Sequence, residues 1–412
     1  MQDSSRYAVG IDIGTTTVRC VVGHLDATTG APTIVGMGEV VNNGMRKGTI
    51  VNLNGPAQAI DEALGEAERM SGYEVNSATI SINGSHILST TTDGMVAVGA
   101  VDHIVTSDDV VRLEEVATVG KVPANRDILE VVPHSYRLDG QDNIKDPVGM
   151  TGTRLEVNAN VVSAMAPQVA ALHSTLELAK VVPNSVTPSV VAAAKAVLNE
   201  KQIENGVAVI DLGGATTSIA IFEEGDMQYI GVIAVGSNNI TNDLAIGLKT
   251  DPEVAEQVKI THGSAVSQNG SDTVSIKHNK ETLEFSRADV DEIVEARLEE
   301  LFEAITKELK KAGRHAKLPS GVVLTGGGAK LKNIVEYTKE SLGLAVRVGS
   351  ATGFGGVAER IDEPQFATAA GLMLLDAQGS THQAPRRTGG GTKSAARHAG
   401  SIISKVAGLF RT

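Results

Sequence analysis

Two short segments with the same pattern constrain the fold of this chain most strongly. They read IDIGTTT at residues 11–17 and IDLGGATT at residues 210–217, and each lies between two apolar strands. In each segment a β-branched strand ends in an Asp, and Gly permits a tight turn. Backbone amides and Thr hydroxyls then supply hydrogen-bond donors, so such a turn can hold phosphate groups. Two of these turns facing each other would form a clamp for a polyphosphate.

The residues of the two turns are therefore the first candidate site. They are Asp12, Gly14, Thr15, Thr16 and Thr17 in the first turn, and Asp211, Gly213, Gly214, Ala215, Thr216 and Thr217 in the second. Asp12 and Asp211 are also candidate ligands of Mg²⁺, which tolerates one or two carboxylates and keeps several waters. An ordinary β-hairpin with a Gly turn would need the same residues. The presence of two copies favours phosphate binding.

A third glycine cluster, in VVLTGGGA at residues 322–329, again ends an apolar strand, and a helix is predicted over Lys330–Leu342. Backbone without side chains lets a flat ligand approach closely. A tight turn between a strand and a helix, which open α/β sheets need in any case, would explain the cluster equally well. Its place after the two hairpins predicts that Gly326, Gly327 and Gly328 form a shelf for a base and a ribose.

Length and composition agree with an α/β protein of two or more domains, because 412 residues exceed what one core usually organises. Trp is absent and aromatic residues make up 3%, so Val, Ile, Leu and Ala must build the core. The one cysteine, Cys20, excludes an internal disulfide and is expected to be a buried small side chain. No Cys/His spacing suggests zinc.

The charge is unevenly distributed along the chain. The net charge of −13 argues against general nucleic-acid binding. Six basic residues and no acidic one follow Asp376, so an acidic body carries a basic end. The N-terminus has no apolar run of signal-peptide length, and no stretch reaches the roughly 18 apolar residues that span a bilayer. We therefore expect a cytosolic body.

The basic end divides into a linker over residues 377–393 and an amphipathic helix over residues 394–412. The helix places Ile402, Ile403, Val406, Leu409 and Phe410 on one side and Arg397, Lys405 and Arg411 on the other. This pattern is typical of a helix that lies in a membrane interface. Docking onto the protein's own body or a partner's groove is the alternative. Because one such helix binds weakly, stable attachment would need several tails together.

The order of these features resembles the actin-like ATPase superfamily and, within it, the FtsA family of bacterial cell-division proteins, over Tyr7–Leu375. Three further motifs carry the resemblance: NGMRKG at 43–48, DPVGMTG at 146–152 and GSNNITND at 236–243. The resemblance implies an actin-like fold of two domains built on an RNase H-like repeat, with a small inserted α+β domain. It also implies ATP and Mg²⁺ as ligands, filaments of the chain itself, and FtsZ, later division proteins and an anionic membrane surface as partners.

The same resemblance implies a division into subdomains. Residues 1–84 and 166–185 form the first actin-like domain (1A), 85–165 the inserted domain (1C), 186–224 and 310–376 the second actin-like domain (2A), and 225–309 its outer lobe (2B). The connecting segments are expected to be Asn184–Leu198 and Phe366–Leu375. Further predicted helices cover Gly55–Met70, Ser107–Val119 and Arg287–Lys311, and strands cover Thr33–Val41, Ile128–Leu138 and Arg154–Ala164.

The resemblance also suggests residues on the outer lobe. Arg287 and Arg297 match, loosely, the basic positions that receive the acidic C-terminal peptide of FtsZ. Both could instead pair at helical spacing with acidic residues of a solvated face, namely Asp289, Glu295 and Glu299. Glu295 could also reach the ribose or base.

Hydrolysis of ATP needs a group that orients water at the γ-phosphate, and in the superfamily a Gln or Glu of the first connecting segment often serves. Residues 184–198 contain neither, and the first turn lacks a Lys. We therefore expect ATP binding with weak or no turnover. The predicted function is an ATP-binding, polymerising adaptor that tethers FtsZ to the cytoplasmic membrane at the division site. A type IV pilus assembly protein of the same fold is the alternative, followed by a sugar or acetate kinase.

Overall fold

The computed structural model describes residues 6–26, 28–99, 102–267, 272–356 and 360–381. The membrane-binding residues predicted at 397–411 (Arg397, Ile402, Ile403, Lys405, Val406, Leu409, Phe410 and Arg411) lie outside the described residues, as does the linker from 382 onward. Among the helices that are described, none is both long and apolar enough to cross a membrane.

The chain alternates strands and helices. The strands are β1 Arg6–Ile13, β2 Thr17–Leu25, β3 Pro32–Val41, β4 Met45–Arg46, β5 Thr49–Ile50, β6 Ser77–Ile82, β7 Leu88–Ala97, β8 Arg126–Leu138, β9 Gln141–Ile144, β10 Arg154–Met165, β11 Val182–Pro188, β12 Val207–Leu212, β13 Thr217–Glu223, β14 Asp226–Ile233, β15 Thr273–His278, β16 Glu281–Ser286, β17 Val322–Thr325, β18 Val346–Val348 and β19 Gly355–Gly356. The α-helices are α1 Asn54–Ser71, α2 Ser107–Thr118, α3 Ala166–Leu178, α4 Ser189–Val197, α5 Glu200–Asn205, α6 Ser237–Gly247, α7 Pro252–His262, α8 Arg287–Lys311, α9 Ile334–Leu342 and α10 Ala367–Thr381. Short 3₁₀ turns cover Gly327–Lys330 and Pro364–Phe366.

Two sheets repeat one plan. The first has the order β11-β6-β1-β2-β3-β19, in which β1 and β2 form an antiparallel hairpin and β1 pairs in parallel with β6. The second has the order β14-β13-β12-β17-β18, in which β12 and β13 form the hairpin and β12 pairs in parallel with β17. Buried β-branched residues fill both hairpins, as the sequence predicted. Each hairpin turn therefore lies at the same edge of its own sheet as the end of the neighbouring parallel strand.

A third sheet, with the order β7-β10-β8-β9, is antiparallel and forms an α+β unit with helix α2. Thr106 and Asp109 cap the start of α2 with reciprocal hydrogen bonds. Leu113 and Ala117 of this helix are fully buried against the sheet. The small inserted unit that the sequence predicted is therefore present.

Helices α4 and α10 pack together beneath the hairpins, and small residues allow a very close approach. A Cβ on Gly371 would lie 1.7 Å from the carbonyl oxygen of Ala192, and one on Gly10 would lie 2.3 Å from that of Ala369. Helix α10 is thus pressed against both β1 and α4. Any larger residue at these glycines would separate the elements that support the turns.

Three predicted segments differ from the structure. The first half of the predicted connecting helix at 184–198 is strand β11, because its β-branched residues pair in parallel with β6, and the helix begins only at Ser189. The helix predicted from Lys330 begins at Ile334, after Asn333 adopts a left-handed conformation. Helix α10 continues to Thr381, five residues into the predicted linker, and Ala377 is buried. Helix α8 spans Arg287–Lys311, as predicted.

Candidate functional site

A cavity of about 510 Å³ lies between the two hairpin turns, with walls from both of the larger sheets and from helices α7 and α8. Of the predicted site residues, it is lined by Asp12, Gly14, Thr15, Thr16, Thr17, Asp211, Gly213, Gly214, Ala215, Thr216, Gly326, Gly327 and Gly328. Residues from three distant parts of the sequence therefore meet in one cleft, as the repeated pattern predicted.

The first turn is held from below by the segment that follows β3. Within the turn, the amide of Gly14 donates to the carbonyl of Thr17 at 3.1 Å. Asn42 donates through Nδ2 to the carbonyl of Gly14 at 2.7 Å, and the amide of Gly48 donates to Thr15 Oγ1 at 2.9 Å. The turn therefore has a fixed shape before any ligand binds, which reduces the entropy that binding would cost.

The second turn has the same internal hydrogen bond, from the amide of Gly213 to the carbonyl of Thr216 at 3.0 Å. The start of helix α6 supports it, because the amide of Asn238 donates to the carbonyl of Gly214 at 2.7 Å. A Cβ on Gly236 would lie 2.6 Å from that same carbonyl oxygen. The motif at 236–243 therefore supports the second hairpin turn, a role that the sequence did not reveal.

The two turns lie in contact range of each other. A Cβ on Gly214 would lie 2.8 Å from Oγ1 of Thr16, which belongs to the opposite turn. Glycine at 214 thus keeps the passage between the turns open. This narrow part of the cleft has the backbone amides and hydroxyl groups that bind phosphate oxygens.

The glycine cluster after β17 brings bare backbone to the floor of the cleft. Gly326 has φ +80°, and a Cβ there would lie 2.2 Å from Oδ1 of Asp211. A Cβ on Gly328 would lie 2.8 Å from the side chain of Leu212, whereas Gly327 faces open space. Glycine is therefore required at 326 and 328 so that this segment can pass close to the second hairpin.

The two carboxyl groups of the turns are electrostatically coupled. Burial raises the pKa of Asp12, although the Arg19 guanidinium and a hydrogen bond from Ser81 Oγ at 2.9 Å act in the opposite direction. Burial, and after it the negative charge of Asp12, raises the pKa of Asp211 to about 7. A divalent cation bound between the two groups would remove this repulsion.

The donor set fits Mg²⁺ bound together with phosphates. The described residues contain no group of three or more His, Cys, Asp and Glu side chains that could hold a metal ion by themselves. Mg²⁺ typically takes one or two carboxylates and fills its other positions with water and phosphate oxygens. Asp12 and Asp211 are therefore sufficient as the protein's share of such a site.

Sequence reasoning missed polar residues that line the cleft from helix α7 and from the 3₁₀ turn at Pro364–Phe366. Lys259 lines the cleft, donates to Thr241 Oγ1 at 2.8 Å and forms an ion pair with Glu256 at 2.6 Å. Gln365 also lines it, and its buried Oε1 accepts no hydrogen bond in the described structure. The helical spacing of Glu256 and Lys259 could have indicated that they form an ion pair. It could not have placed the pair in the cleft, because that depends on how α7 packs against α6.

Two predicted nucleotide-binding residues are not brought into the cleft. The side chain of Thr217 is fully buried, and its Oγ1 donates to the carbonyl of Val235 at 2.9 Å. Glu295 is exposed on α8, where its charge acts on the phenol of Tyr337. Leu298 and Leu301 form the part of α8 that lines the cleft.

The two arginines predicted to bind a partner are both ion-paired, but with acids other than those considered from the sequence. Arg287 lies 3.7 Å from Asp291 and donates to the carbonyl of His262 at 2.7 Å. Arg297 forms two hydrogen bonds with Asp243, at 2.5 and 3.0 Å, and pairs with Glu300. The partner Asp243 belongs to α6, so its contact with Arg297 depends on tertiary packing, whereas the pairs with Asp291 and Glu300 are at helical spacing on α8.

Arg297 lies beside a separate groove on the outer lobe. The groove has a volume of about 330 Å³ and is lined by Asp243, Ile246, Gly247, Ile293, Ala296, Arg297 and Glu300. Ile246 is 77% exposed. The groove therefore combines apolar side chains with the guanidinium group of Arg297. Arg287 does not line it.

Two sheets with matching hairpins, two helices beneath them and a phosphate-type cleft between them define the actin-like class of nucleotide-binding proteins. Solved structures agree. The chain matches the PilM-PilN type IV pilus biogenesis complex with a TM-score of 0.65 and 18% identity, covering 90% of this chain and 98% of that one. It matches MreB5 of Spiroplasma citri bound to ADP with a TM-score of 0.55 and 14% identity, covering 92% and 99%. At these identities the likeness shows the fold alone.

The family follows from sequence comparison. The family profile described as "Cell division protein FtsA" matches residues 208–371, and the profile "SHS2 domain inserted in FTSA" matches residues 84–163. The FtsA of Pseudomonas aeruginosa is 32% identical over 379 residues, covering 91% of this chain and 90% of that protein. The FtsA of Bacillus subtilis is 35% identical, covering 90% and 84%. The chain belongs to the FtsA family of cell division proteins.

Proposed function

We propose that this chain binds ATP with Mg²⁺ in the cleft, polymerises, and tethers FtsZ to the inner face of the cytoplasmic membrane at the division site. One observation carries the nucleotide part: two amide-rich turns face each other around the coupled carboxyl groups of Asp12 and Asp211. The turns would hold the phosphates, and the two carboxylates would hold the metal ion. The metal ion would neutralise phosphate charge. The subdomain boundaries predicted from the sequence belong to this proposal.

The remainder of the cleft suits a nucleoside. The ion-paired Lys259 and Glu256 offer a donor and an acceptor to ribose hydroxyl groups, and Gly327 leaves open space at the glycine shelf. Leu298, Leu301 and Ile260 supply apolar surface for the faces of a base. Glu295 and Thr217 are not part of this assignment, because they do not line the cleft.

Turnover of ATP should be slow or undetectable. Ser189 is the cleft-lining residue of the first connecting segment, and this segment carries no Gln or Glu to orient water. Gln365 lines the cleft, but it belongs to the 3₁₀ turn at Pro364–Phe366, before the second connecting segment, and its Oε1 is buried. We therefore assign the nucleotide a structural and regulatory role.

The groove beside Arg297 is the proposed site for the acidic C-terminal peptide of FtsZ. Exposed Ile246 and partly buried Ile293 would take apolar side chains of the peptide, and the guanidinium of Arg297 would pair with its carboxylates. Arg287 would contribute only through its positive charge. Attachment to an anionic membrane surface is assigned to residues 394–412, and filaments of the chain would present many such tails together. Later division proteins would join this assembly.

The proposal is tested by sedimentation with anionic liposomes in ATP and Mg²⁺. The full chain is compared with a chain ending at Lys393, each with and without FtsZ, and the full chain is also mixed with uncharged liposomes. We expect only the full chain to pellet with anionic liposomes and to carry FtsZ with it. If both chains stay in the supernatant, the terminal segment does not bind membranes. A full chain that pellets without FtsZ contradicts the tethering role.

The pilus assembly role is the second candidate, and the matching fold of the PilM-PilN complex favours it. The sequence identity to that complex is 18%, whereas the identity to several FtsA relatives exceeds 30%. The basic terminal segment and the motif DPVGMTG at residues 146–152 also count against the pilus role.

A further inference from the structure

Asn83 connects the two lobes directly at the phosphate end of the cleft. It follows strand β6 of the first sheet, and its side chain reaches the second hairpin. Nδ2 donates to Thr216 Oγ1 at 3.0 Å, and Oδ1 accepts from Ser218 Oγ at 3.0 Å and from the amide of Gly84 at 2.8 Å. One amide group therefore binds both the second turn and Gly84, the residue that directly precedes the inserted domain.

The first phosphate turn reaches the same point through backbone contacts. The amide of Gly48 donates to Thr15 Oγ1 at 2.9 Å. A Cβ on Gly48 would lie 2.6 Å from the Cα of Gly84, and both glycines have positive φ, +77° and +134°. The chain at Gly84 thus packs tightly against the segment that holds Thr15. Both phosphate turns are in mechanical contact with the start of the inserted domain.

The base of the inserted domain is tied together around this point. His86 Nε2 lies 3.1 Å from the carbonyl of Asn83. Arg126, at the start of β8, donates to the carbonyls of His86 at 2.5 Å and of Ser163 at 2.8 Å. Ser163 lies near the end of β10, where the chain leaves the inserted sheet. A displacement at Gly84 would therefore be passed to the sheet as a whole.

We propose that Asn83 is a positioning residue that couples phosphate binding between the two turns to the orientation of the inserted domain. The inference rests on the proposed binding of ATP, and it adds the contacts through which bound phosphates would change the orientation of the inserted domain. Phosphates held by both turns fix the distance between Thr15 and Thr216. Since both residues are tied to Gly84, that distance sets the angle at which the inserted sheet leaves the first lobe.

The coupling can be measured as a distance between spin labels in the full chain. Glu115 of α2 and Asp61 of α1 are exposed and lie in the inserted domain and the first lobe, so both are replaced by Cys. The native Cys20 is fully buried, and burial raises its pKa, so it should remain unlabelled. Electron spin resonance then gives the distance with and without ATP and Mg²⁺, and the Kd for ATP is measured on the same samples.

Four chains are compared: the labelled parent and the same chain carrying Asn83→Ala, Ser218→Ala or Asn158→Ala. Asn158 is the matched control, because its amide bonds to Asp93 on the inserted sheet itself, at 3.0 Å. We expect ATP to shift the distance in the parent and the control. Asn83→Ala should remove most of this shift and raise the Kd about threefold to tenfold, as the loss of one or two hydrogen bonds implies.

Ser218→Ala keeps Asn83 and removes one of its bonds, so it should reduce the shift less. Its effect should add little to that of Asn83→Ala in the double variant, because both act on one contact. A full shift in Asn83→Ala saturated with ATP overturns the proposal, as does a parent that binds ATP without any shift. A parent that binds no ATP refutes the proposed function itself, and the coupling with it.

Discussion

The carboxyl groups of Asp12 and Asp211 act on each other across the cleft: burial, and after it the negative charge of Asp12, raises the pKa of Asp211 to about 7. Without a cation the folded protein therefore holds a proton on Asp211 more tightly than the unfolded chain, whose Asp titrates near 3.8. The free energy of unfolding should fall as pH rises between these two values. The electrostatic coupling of the two carboxyl groups can therefore be measured without any enzymatic activity.

We predict that Asp211→Asn stabilises the metal-free protein above pH 7 by about 1–2 kcal/mol, because it removes a buried charge that faces Asp12. The same variant should lose most of the stabilisation that ATP with Mg²⁺ gives to the parent. Chemical denaturation at pH 5 and pH 8, with and without the ligands, measures both effects. Asp26→Asn is the control, since Asp26 lies in an exposed turn where hydrogen bonds from Thr29 and Thr28 lower its pKa. Equal stability of parent and Asp211→Asn at pH 8 would contradict the coupling.

The adjacent residues Gly326 and Gly327 test whether the glycine segment after β17 must pass close to the second hairpin. Gly326→Ala places a Cβ 2.2 Å from Oδ1 of Asp211 and in a backbone region that suits glycine alone, so it should cost about 1–3 kcal/mol and weaken ATP binding. Gly327→Ala meets no atom within 4 Å and should leave folding unchanged. Thermal unfolding and ATP titration of both variants give the comparison. Similar losses in both variants would mean that the shelf does not depend on this close approach.

The groove on the outer lobe can be tested with a synthetic C-terminal FtsZ peptide. Arg297→Ala removes the one positive side chain among the described residues of the groove, which also carries Asp243 and Glu300, so the groove becomes more acidic and should bind the acidic peptide at least tenfold more weakly. Lys307→Ala removes an exposed Lys whose ion-pair partner on the same helix lies 4.0 Å away, and serves as the control. Fluorescence anisotropy measures both Kd values. Unchanged binding by Arg297→Ala would place the peptide elsewhere.

The inserted domain also contacts the second lobe through Lys145. Its Nζ donates to Asp226 Oδ2 at 2.9 Å and to the carbonyl of Glu224 at 3.0 Å, and the Asp226 side chain is 4% exposed. We predict that Lys145→Ala lowers the free energy of unfolding by about 1–2 kcal/mol, because a buried carboxylate loses a charged donor. Arg137→Ala, which removes the pair with exposed Asp142, should cost much less than Lys145→Ala. Denaturant unfolding measures the free energy of unfolding of both variants. Equal losses would show that Lys145 contributes no more to stability than a surface ion pair.

Some features of the site could be read from the sequence because local chemistry alone produces them. In both turns a strand that carries an Asp is followed by Gly and Thr, and both form the same internal hydrogen bond from a Gly amide to a Thr carbonyl. Of the residues predicted in the two turns and at 326–328, all but Thr217 line the cleft. Helix α8 was predicted to the residue because its apolar spacing is unbroken and Ser286 caps its start. The helix predicted over 184–198 was wrong in its first half because pairing with β6 outweighs the local pattern.

The sequence by itself determined the two turns with their carboxylates, because these depend on backbone conformation within a few residues. It indicated the class of fold and the family through motifs spread along the chain that resemble those of the FtsA family. Only the tertiary structure decided that Lys259 faces the cleft, that Glu295 does not, and that Arg297 pairs with Asp243. The same holds for the bridge from Asn83 to Thr216 and Ser218, which joins residues more than 130 positions apart. Such contacts depend on how sheets and helices pack, and no local pattern of residues encodes the side on which a distant element will lie.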